Sequence, residues 1–341
     1  MDNDRTQAPA GPLPRVYRRA HLLRAAACLG AAWLAGRPAF AAGYPERPLK
    51  MVVPFPPGGA ADLMSRSLAG KLGELLGQQV VVENRGGAGG TIAAEAVAAA
   101  PPDGYTLFFG SVGTNAINVS LYRRLRYDPL KHFEYVSLTH TTPRVLVVNA
   151  AVPARSVQEL IVLAKARPGE LSYGSDGNGS TSHLSGALFE TMGGVNLLHV
   201  PYKGSAPLLT DLLAGRVTMT FDSLAVYADH LKSGRVRALG TTAASRMSAL
   251  PDVPTISESG LPGYDVSNWL GVMVPAGTPR DVVARLHGAI VRSSQDSAIR
   301  QQLAPLGIET VSSTPEAFAA LVRADIGKWS DIVKRSGATV D

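Results

Sequence analysis

Residues 52–66 read VVPFPPGGAADLMSR, and this stretch decides the fold. A short apolar run, Leu49–Val53, has strand composition and meets two prolines. Pro56 and Pro57 fix φ and remove two amide donors. Gly58 and Gly59 do the reverse: they admit any φ and leave bare N–H groups. Asp62 follows, and then Met64, Leu68, Leu72, Leu75 and Leu76 recur at helical spacing until Gly77 stops them. The stretch therefore reads as strand, stiff donor-rich turn, helix N-terminus. That arrangement suits a small anion, because first-turn amides and the helix dipole both favour negative charge.

The pattern repeats along the chain. QVVVE, YTLFFG, RVLVVNA, LSYGS, LLHVPYKG, VTMTFDS, VRALGTT and NWLGVMVPAG read as strands, most followed by a helix with its own start signal. Ser156 and Glu159 form a capping box before VQELIVLAKA. Thr278-Pro279 and Thr314-Pro315 cap the last two long helices. Alternation of this kind predicts an α/β protein built on mostly parallel sheet. Turns rich in Gly, Ser and Asp follow Val53, Phe109, Tyr173 and Phe221. In open α/β sheets ligands bind beyond the carboxyl ends of strands, so these four loops are expected to meet in one crevice.

Bulk properties narrow the function. The 341 residues are 45% hydrophobic and 18% charged, enough for one large or two medium domains. The first 41 residues read as a leader. RVYRRAHLLR is a basic region, AAACLGAAWLAG a short apolar one, and Ala39-Phe40-Ala41 a small-residue cleavage site. Arg18-Arg19 is loosely twin-arginine-like, with the ordinary secretory route ahead of it. The mature chain is expected to start near Ala42. The single cysteine, Cys28, falls inside the leader, where Ala25 stands in the place of the leucine usual in a lipoprotein box. A mature chain without thiol has no disulfide, no Cys-bound metal and no Cys nucleophile. The leader also carries six arginines and two aspartates, so the net +6 falls to 27 basic against 25 acidic residues once it is removed. Nucleic acid is not an expected partner, and no basic stripe with interleaved aromatics is present.

Common catalytic motifs are missing. GGAGGTI and GNGSTS lack the last glycine of G-x-G-x-x-G; there is no P-loop, no G-x-S-x-G and no H-E-x-x-H. The seven histidines show no metal-type pairing, and no cofactor is expected. Ser180 and His183 stand three apart at a helix start. They read either as nucleophile and base or as an N-cap serine with a first-turn histidine; no third, orienting acid favours the cap. Asp62 has three readings: ligand contact, cap of the glycine-rich turn, or exposed first-turn acid. Asp222 ends an apolar strand and needs a partner, a ligand group or a neighbouring N–H. Tyr202 walls a pocket or is half-buried; Trp269 packs in the core or lines the cleft.

YPERPLKMVVPFPPGGAADLMSRSLAGKLGELLGQQVVVENRGGAGG, PDGYTL, YGSDGNGSTSHL, VPYKGSAPLLTDLLAGRV and LPDVPTISESGLPGY together resemble the Bug family, the periplasmic solute receptors of tripartite tricarboxylate transporters. The resemblance runs from about Tyr44 to the C-terminus. It implies a type II periplasmic-binding-protein fold: two α/β domains facing across a ligand cleft. Domain 1 would be discontinuous (42–144 and 268–341) and domain 2 would hold 145–267. The chain would cross near Pro143–Val148 and Asn268–Val274.

It further implies a small organic carboxylate as ligand, held largely by backbone N–H groups and waters, a membrane transporter or sensor as partner, and a place in the periplasm; a monomer is the default expectation. Ligand contacts carry over to Phe55, Gly58, Gly59, Ala61 and Asp62; to Ser111 and Thr114; to Asn178, Gly179, Ser180 and Thr181; and to Asp222. Members often have Thr where Ala61 stands and Phe-Asp-Asn where this chain has Phe221-Asp222-Ser223, so two polar groups near the ligand are smaller here. The alternative on the same scaffold is a periplasmic dehydratase or hydrolase using His183 with Asp222.

Overall fold

The five residues of strand β1 (Leu49–Val53) show why the chain folds in layers. Leu49, Met51, Val52 and Val53 are all buried, each such side chain contributing about 1.5–3 kcal/mol when fully removed from water. A strand hidden on both faces needs cover on both sides. The structure, a computed structural model, describes residues 43–336; the expected leader, Cys28 and the cleavage site lie outside the described residues.

Helix α1 (Ala60–Leu76) follows β1 and buries Met64, Leu68, Leu72 and Leu76, with Leu75 half-buried beside them. Gly77 ends it in the left-handed conformation, donating its N–H to the Gly73 carbonyl at 3.0 Å. Then come β2 (Val80–Asn84), α2 (Thr91–Ala98) and β3 (Thr106–Ser111). A π-helical turn (Gly113–Ile117) runs into α3 (Asn118–Leu121), followed by β4 (Phe133–Thr141).

The second half of the fold is contiguous: β5 (Arg144–Asn149), α4 (Val157–Ala166), β6 (Ser172–Ser175), α5 (Thr181–Gly193), β7 (Leu198–Pro201), α6 (Ser205–Leu213), β8 (Met219–Ser223), α7 (Leu224–Lys232) and β9 (Val236–Thr241). The chain then returns to the first half through β10 (Trp269–Pro275), α8 (Arg280–Ser294), α9 (Ser297–Leu303), β11 (Glu309–Thr310) and α10 (Pro315–Ser336).

Two sheets result, ordered β11-β4-β10-β3-β1-β2 and β7-β6-β8-β5-β9. The expectation of mostly parallel sheet is corrected: both are mixed. Strands β1, β2 and β3 pair in parallel, as do β6, β7 and β8, but β10 runs antiparallel to β3 and β4, and β5 antiparallel to β8 and β9. The reason is the route of the chain. Strands β1, β3 and β8 run toward the crevice between the halves and end in its loops. Strands β5 and β10 begin at that crevice, because each is the first strand after a crossing, and so they must run the other way.

The crossings are tighter than the sequence suggests. One is Thr142-Pro143 and the other ends at Asn268, and they touch: Thr142 N donates to Asn268 O (2.7 Å) and Asn268 Nδ2 to Thr142 Oγ1 (2.8 Å). All of β5 belongs to the second sheet and all of β10 to the first.

Two caps differ from expectation in detail. Ser156 accepts the Glu159 amide (3.1 Å), but the Glu159 carboxylate takes the Arg155 amide (2.7 Å) and not that of Ser156, so the box is displaced by one residue. Thr314 caps α10 through the Ala317 amide (3.1 Å). Thr278 does not cap α8; its hydroxyl donates to Pro275 O (2.7 Å), closing the turn before the helix. Trp269 is core: its ring is 1% exposed, edges onto Phe318, and donates from Nε1 to Asp325 at 2.7 Å.

Candidate functional site

Where the two sheets meet lies a cavity of 270 Å³. Phe55, Ala60, Ala61 and Met64 reach it from the β1–α1 turn, Ser111 from the end of β3, and Leu270 from β10. The crossings contribute Thr142, Pro143, Arg144 and Asn268; the second half adds Ser223 and Ala225, and the segment before β11 adds Leu306, Gly307 and Ile308.

The β1–α1 turn is held rigidly. Gly58 adopts φ +86°, which only glycine takes without strain. Its amide donates to Asp62 Oδ2 (3.0 Å), Arg66 Nε donates to the same oxygen (3.0 Å), and Asn84 Nδ2 donates to Oδ1 (3.0 Å) and also to Phe55 O (3.1 Å). Asp62 is therefore a buried hub that fastens Phe55, Gly58 and Arg66 together. Hydrogen bonds from Arg66, then from the Gly58 amide and Asn84, hold its pKa down at about 2 against burial. Among its three sequence readings the structure matches the cap of the turn, and Asp62 is not part of the cavity wall. Gly59, the N-cap of α1, offers no side-chain cap, so the first-turn amides of Ala60 and Ala61 have neither an intrahelical nor a capping partner.

The second half presents the same feature. Ser223 is the N-cap of α7 and also makes no side-chain cap bond. Ser223 and Ala225 line the cavity, so two helix N-termini, one from each half, open onto one space. Each contributes a partial positive charge of roughly half a unit.

The structure places Phe55, Ala61 and Ser111 on the cavity wall. Asp62, Thr114 and Asp222 are buried outside the lining, and Gly58 and Gly59 are exposed beside it. The Thr114 hydroxyl accepts the Ser111 amide (3.0 Å) and donates to Asn115 Oδ1 (2.7 Å), which fixes the end of β3. The loop carrying Asn178, Gly179, Ser180 and Thr181 does not line the cavity; it faces α3 of the first half. Gly179 has φ +71°, and a Cβ there would stand 2.9 Å from Leu121 Cδ2. Ser180 Oγ accepts the His183 amide (3.2 Å), and His183 Nδ1 accepts the Gly179 amide (3.1 Å). The pair is a cap, as the absence of an orienting acid suggested. Tyr202 is half-buried, with its hydroxyl donating to Asp211 (2.8 Å).

His183 also stacks on His199, with ring centroids 3.9 Å apart and planes 1° from parallel. Burial, and then the neighbouring ring, push its pKa down to about 4. Asp222 has other partners than His183. Arg144 Nη1 donates to it at 2.7 Å, the Ser223 amide at 2.7 Å and the Tyr227 hydroxyl at 3.4 Å. Burial raises the Asp222 pKa, Arg144 opposes this, and nearby Asp176 raises it further. An acid–base pair of His183 with Asp222 is thus not assembled.

Sequence reasoning missed Arg144. It begins β5, immediately after the crossing, and lines the cavity with its side chain 14% exposed. A cation opening an apolar strand directly after a proline was the available signal. The stacked histidines were also missed, because α5 and β7 bring together residues that are 16 apart in sequence only through the tertiary fold.

A family model described as the tripartite tricarboxylate transporter family receptor matches residues 64–338. The chain belongs to that family. The receptor is 38% identical over 302 residues to Protein BugT of Bordetella pertussis, covering 88% of this chain and 93% of that one. Two solved structures share its fold. A protein from R. palustris solved with adipate is 40% identical with a TM-score of 0.73, over 87% of the receptor and 100% of that chain. MatC from Rhodopseudomonas palustris, with bound malate, is 36% identical with a TM-score of 0.69, over 85% and 100%. With its two mixed α/β sheets and the crevice between them, the receptor has the two-lobed fold of these solute-binding proteins.

Proposed function

We propose that this receptor captures a small organic carboxylate in the crevice between its two sheets and delivers it, chemically unchanged, to a membrane transporter or a sensor. The observation that carries this reading is the convergence of two uncapped helix N-termini, at Gly59–Ala61 and Ser223–Ala225, on one cavity beside Arg144. The potential there is positive, and much of the wall (Phe55, Met64, Leu270, Leu306, Ile308) is apolar, which suits an acid with a compact body. Similar proteins solved with adipate and malate support the ligand class.

Phe55, Gly58, Gly59, Ala61 and Ser111 would form the first-half contact surface, with Asp62, Thr114 and Asp222 holding it in shape. Asn178, Gly179, Ser180 and Thr181 would reach the ligand as the lobes close. The lobes would be residues 42–143 with 268–341, and 144–267, one residue earlier than expected because Arg144 opens β5 of the second sheet, turning about the paired crossings at Thr142 and Asn268. Export by the leader would place the mature monomer in the periplasm.

Thermal unfolding of residues 42–341 against a panel of carboxylates and their amides tests this. An acid at 100 times its Kd adds about 2.7 kcal/mol to stability. One acid should raise the midpoint while its amide does not. A blank panel, repeated after unfolding, dialysis and refolding to remove carried-over ligand, would count against the receptor reading.

A further inference from the structure

Arg144 is positioned as an anchor whose better edge is still open. Its Nη1 is taken by Asp222 (2.7 Å) and Asp176 (3.3 Å), and its backbone N–H is fixed on Thr242 Oγ1 (2.9 Å). Its Nε and Nη2 have no acceptor among the described residues. Those two nitrogens form the side of the guanidinium that grips a carboxylate through two parallel N–H···O bonds. Asp222, with its side chain 1% exposed, holds the plane of the fork in place. A pre-oriented fork loses less freedom on binding than a flexible cation.

The rest of the cavity sets the other half of the ligand. Phe55, Met64, Leu270, Leu306 and Ile308 give hydrocarbon surface. Among the polar lining residues, Thr142 and Asn268 bond to each other at 2.8 Å and Ser111 bonds within its own turn, while the Ser223 hydroxyl at the α7 N-cap makes no cap bond. A hydroxyl on the part of the ligand that packs against those five apolar side chains would exchange water for hydrocarbon without a new partner, which is unfavourable.

Resting on the carboxylate-receptor reading, we propose that the ligand is an acid with an unsubstituted hydrocarbon body, its carboxylate held side-on by the Nε–Nη2 edge of Arg144 and its body against Phe55, Met64, Leu270, Leu306 and Ile308.

Calorimetric titration of the refolded, ligand-free mature chain tests both parts. The probes are hexanoate, adipate, 3-hydroxyadipate, malate and citrate. Adipate or hexanoate should bind, and 3-hydroxyadipate should bind at least about tenfold more weakly than adipate. Arg144→Lys keeps a charge opposite Asp222 but loses the fork, and should weaken the tighter hydrocarbon acid at least about tenfold. Leu306→Gln leaves the Arg144 ion pairs intact and should weaken it about fivefold or more by placing an amide on the apolar wall, so the class is tested even if the lysine variant fails to fold. A folded Arg144→Lys protein with unchanged affinity would overturn the anchor. Tighter binding of malate or citrate than of adipate and hexanoate would overturn the hydrocarbon class while leaving the receptor reading standing. Binding of none of the five would overturn both.

Discussion

His140 gives the sharpest prediction. It lies in β4, 2% exposed, with Nδ1 3.0 Å from the Thr139 hydroxyl and its ring edge-on to Phe109. Burial lowers its pKa from 6.5 to about 3. The unfolded chain therefore binds a proton at this residue below about pH 6.5 while the folded chain stays neutral, so stability falls as pH falls. Each pH unit within that window costs about 1.4 kcal/mol. Between pH 6.5 and 5 the loss from His140 is about 2 kcal/mol.

The assay is urea unfolding of residues 42–341, wild type and His140→Gln, at pH 7 and pH 5. Other titrating groups are shared by the two proteins, including His183, Glu190 and Asp222, so they cancel in the comparison. The wild type should lose about 2 kcal/mol more than the variant on acidification. Equal losses would refute the argument that burial keeps this imidazole neutral.

Asp62→Ala removes acceptors from Gly58, Arg66 and Asn84 and should lower stability by about 1–3 kcal/mol in the same urea assay. In the wild type the contribution of this depressed carboxylate is complete above its ordinary value of 3.8 and disappears as pH falls through about 2, so the variant should lose less stability than the wild type across that range. Gly271→Ala would set a Cβ 2.3 Å from Phe318 Cζ and 2.9 Å from Ser137 O; a loss of about 3 kcal/mol is expected, read as a lower thermal midpoint. Trp269→Phe deletes the 2.7 Å bond from Nε1 to Asp325 and should cost about 1–3 kcal/mol, because Asp325 stays buried with one donor fewer.

Local chemistry made much of the fold legible. The boundaries of β1, the helix face of α1, the αL stop at Gly77 and the serine cap of α5 all follow from residue type and spacing. Strand β4 was not read, because FEYVSLTHT mixes Glu, Ser, Thr and His with its apolar residues. Its Ser137 and Thr139 are buried only because Ser313 O and Leu270 O, distant in sequence, accept their hydroxyls at 2.9 and 3.0 Å. Strand direction was misjudged for a related reason: alternation of strand and helix says nothing about which end of a strand adjoins a crossing. At the site, the β1–α1 turn announced itself through Pro-Pro-Gly-Gly. Arg144 did not, since its value depends on Asp222 and Asp176 arriving from other elements.

The position of β10 bears on how the chain folds. It lies between β3 and β4, inside its sheet, yet it begins 128 residues after β4 ends. The second sheet draws all five strands from residues 144–241 and can form from one contiguous stretch. The first sheet must wait, with the facing edges of β3 and β4 unpaired, until Trp269–Pro275 slots between them. Closing so long a loop is slow compared with local pairing, and open edges invite pairing with other chains. A chain cut short before residue 269 would keep a complete second sheet and a split first one, and its aggregation would be seeded from β3 and β4.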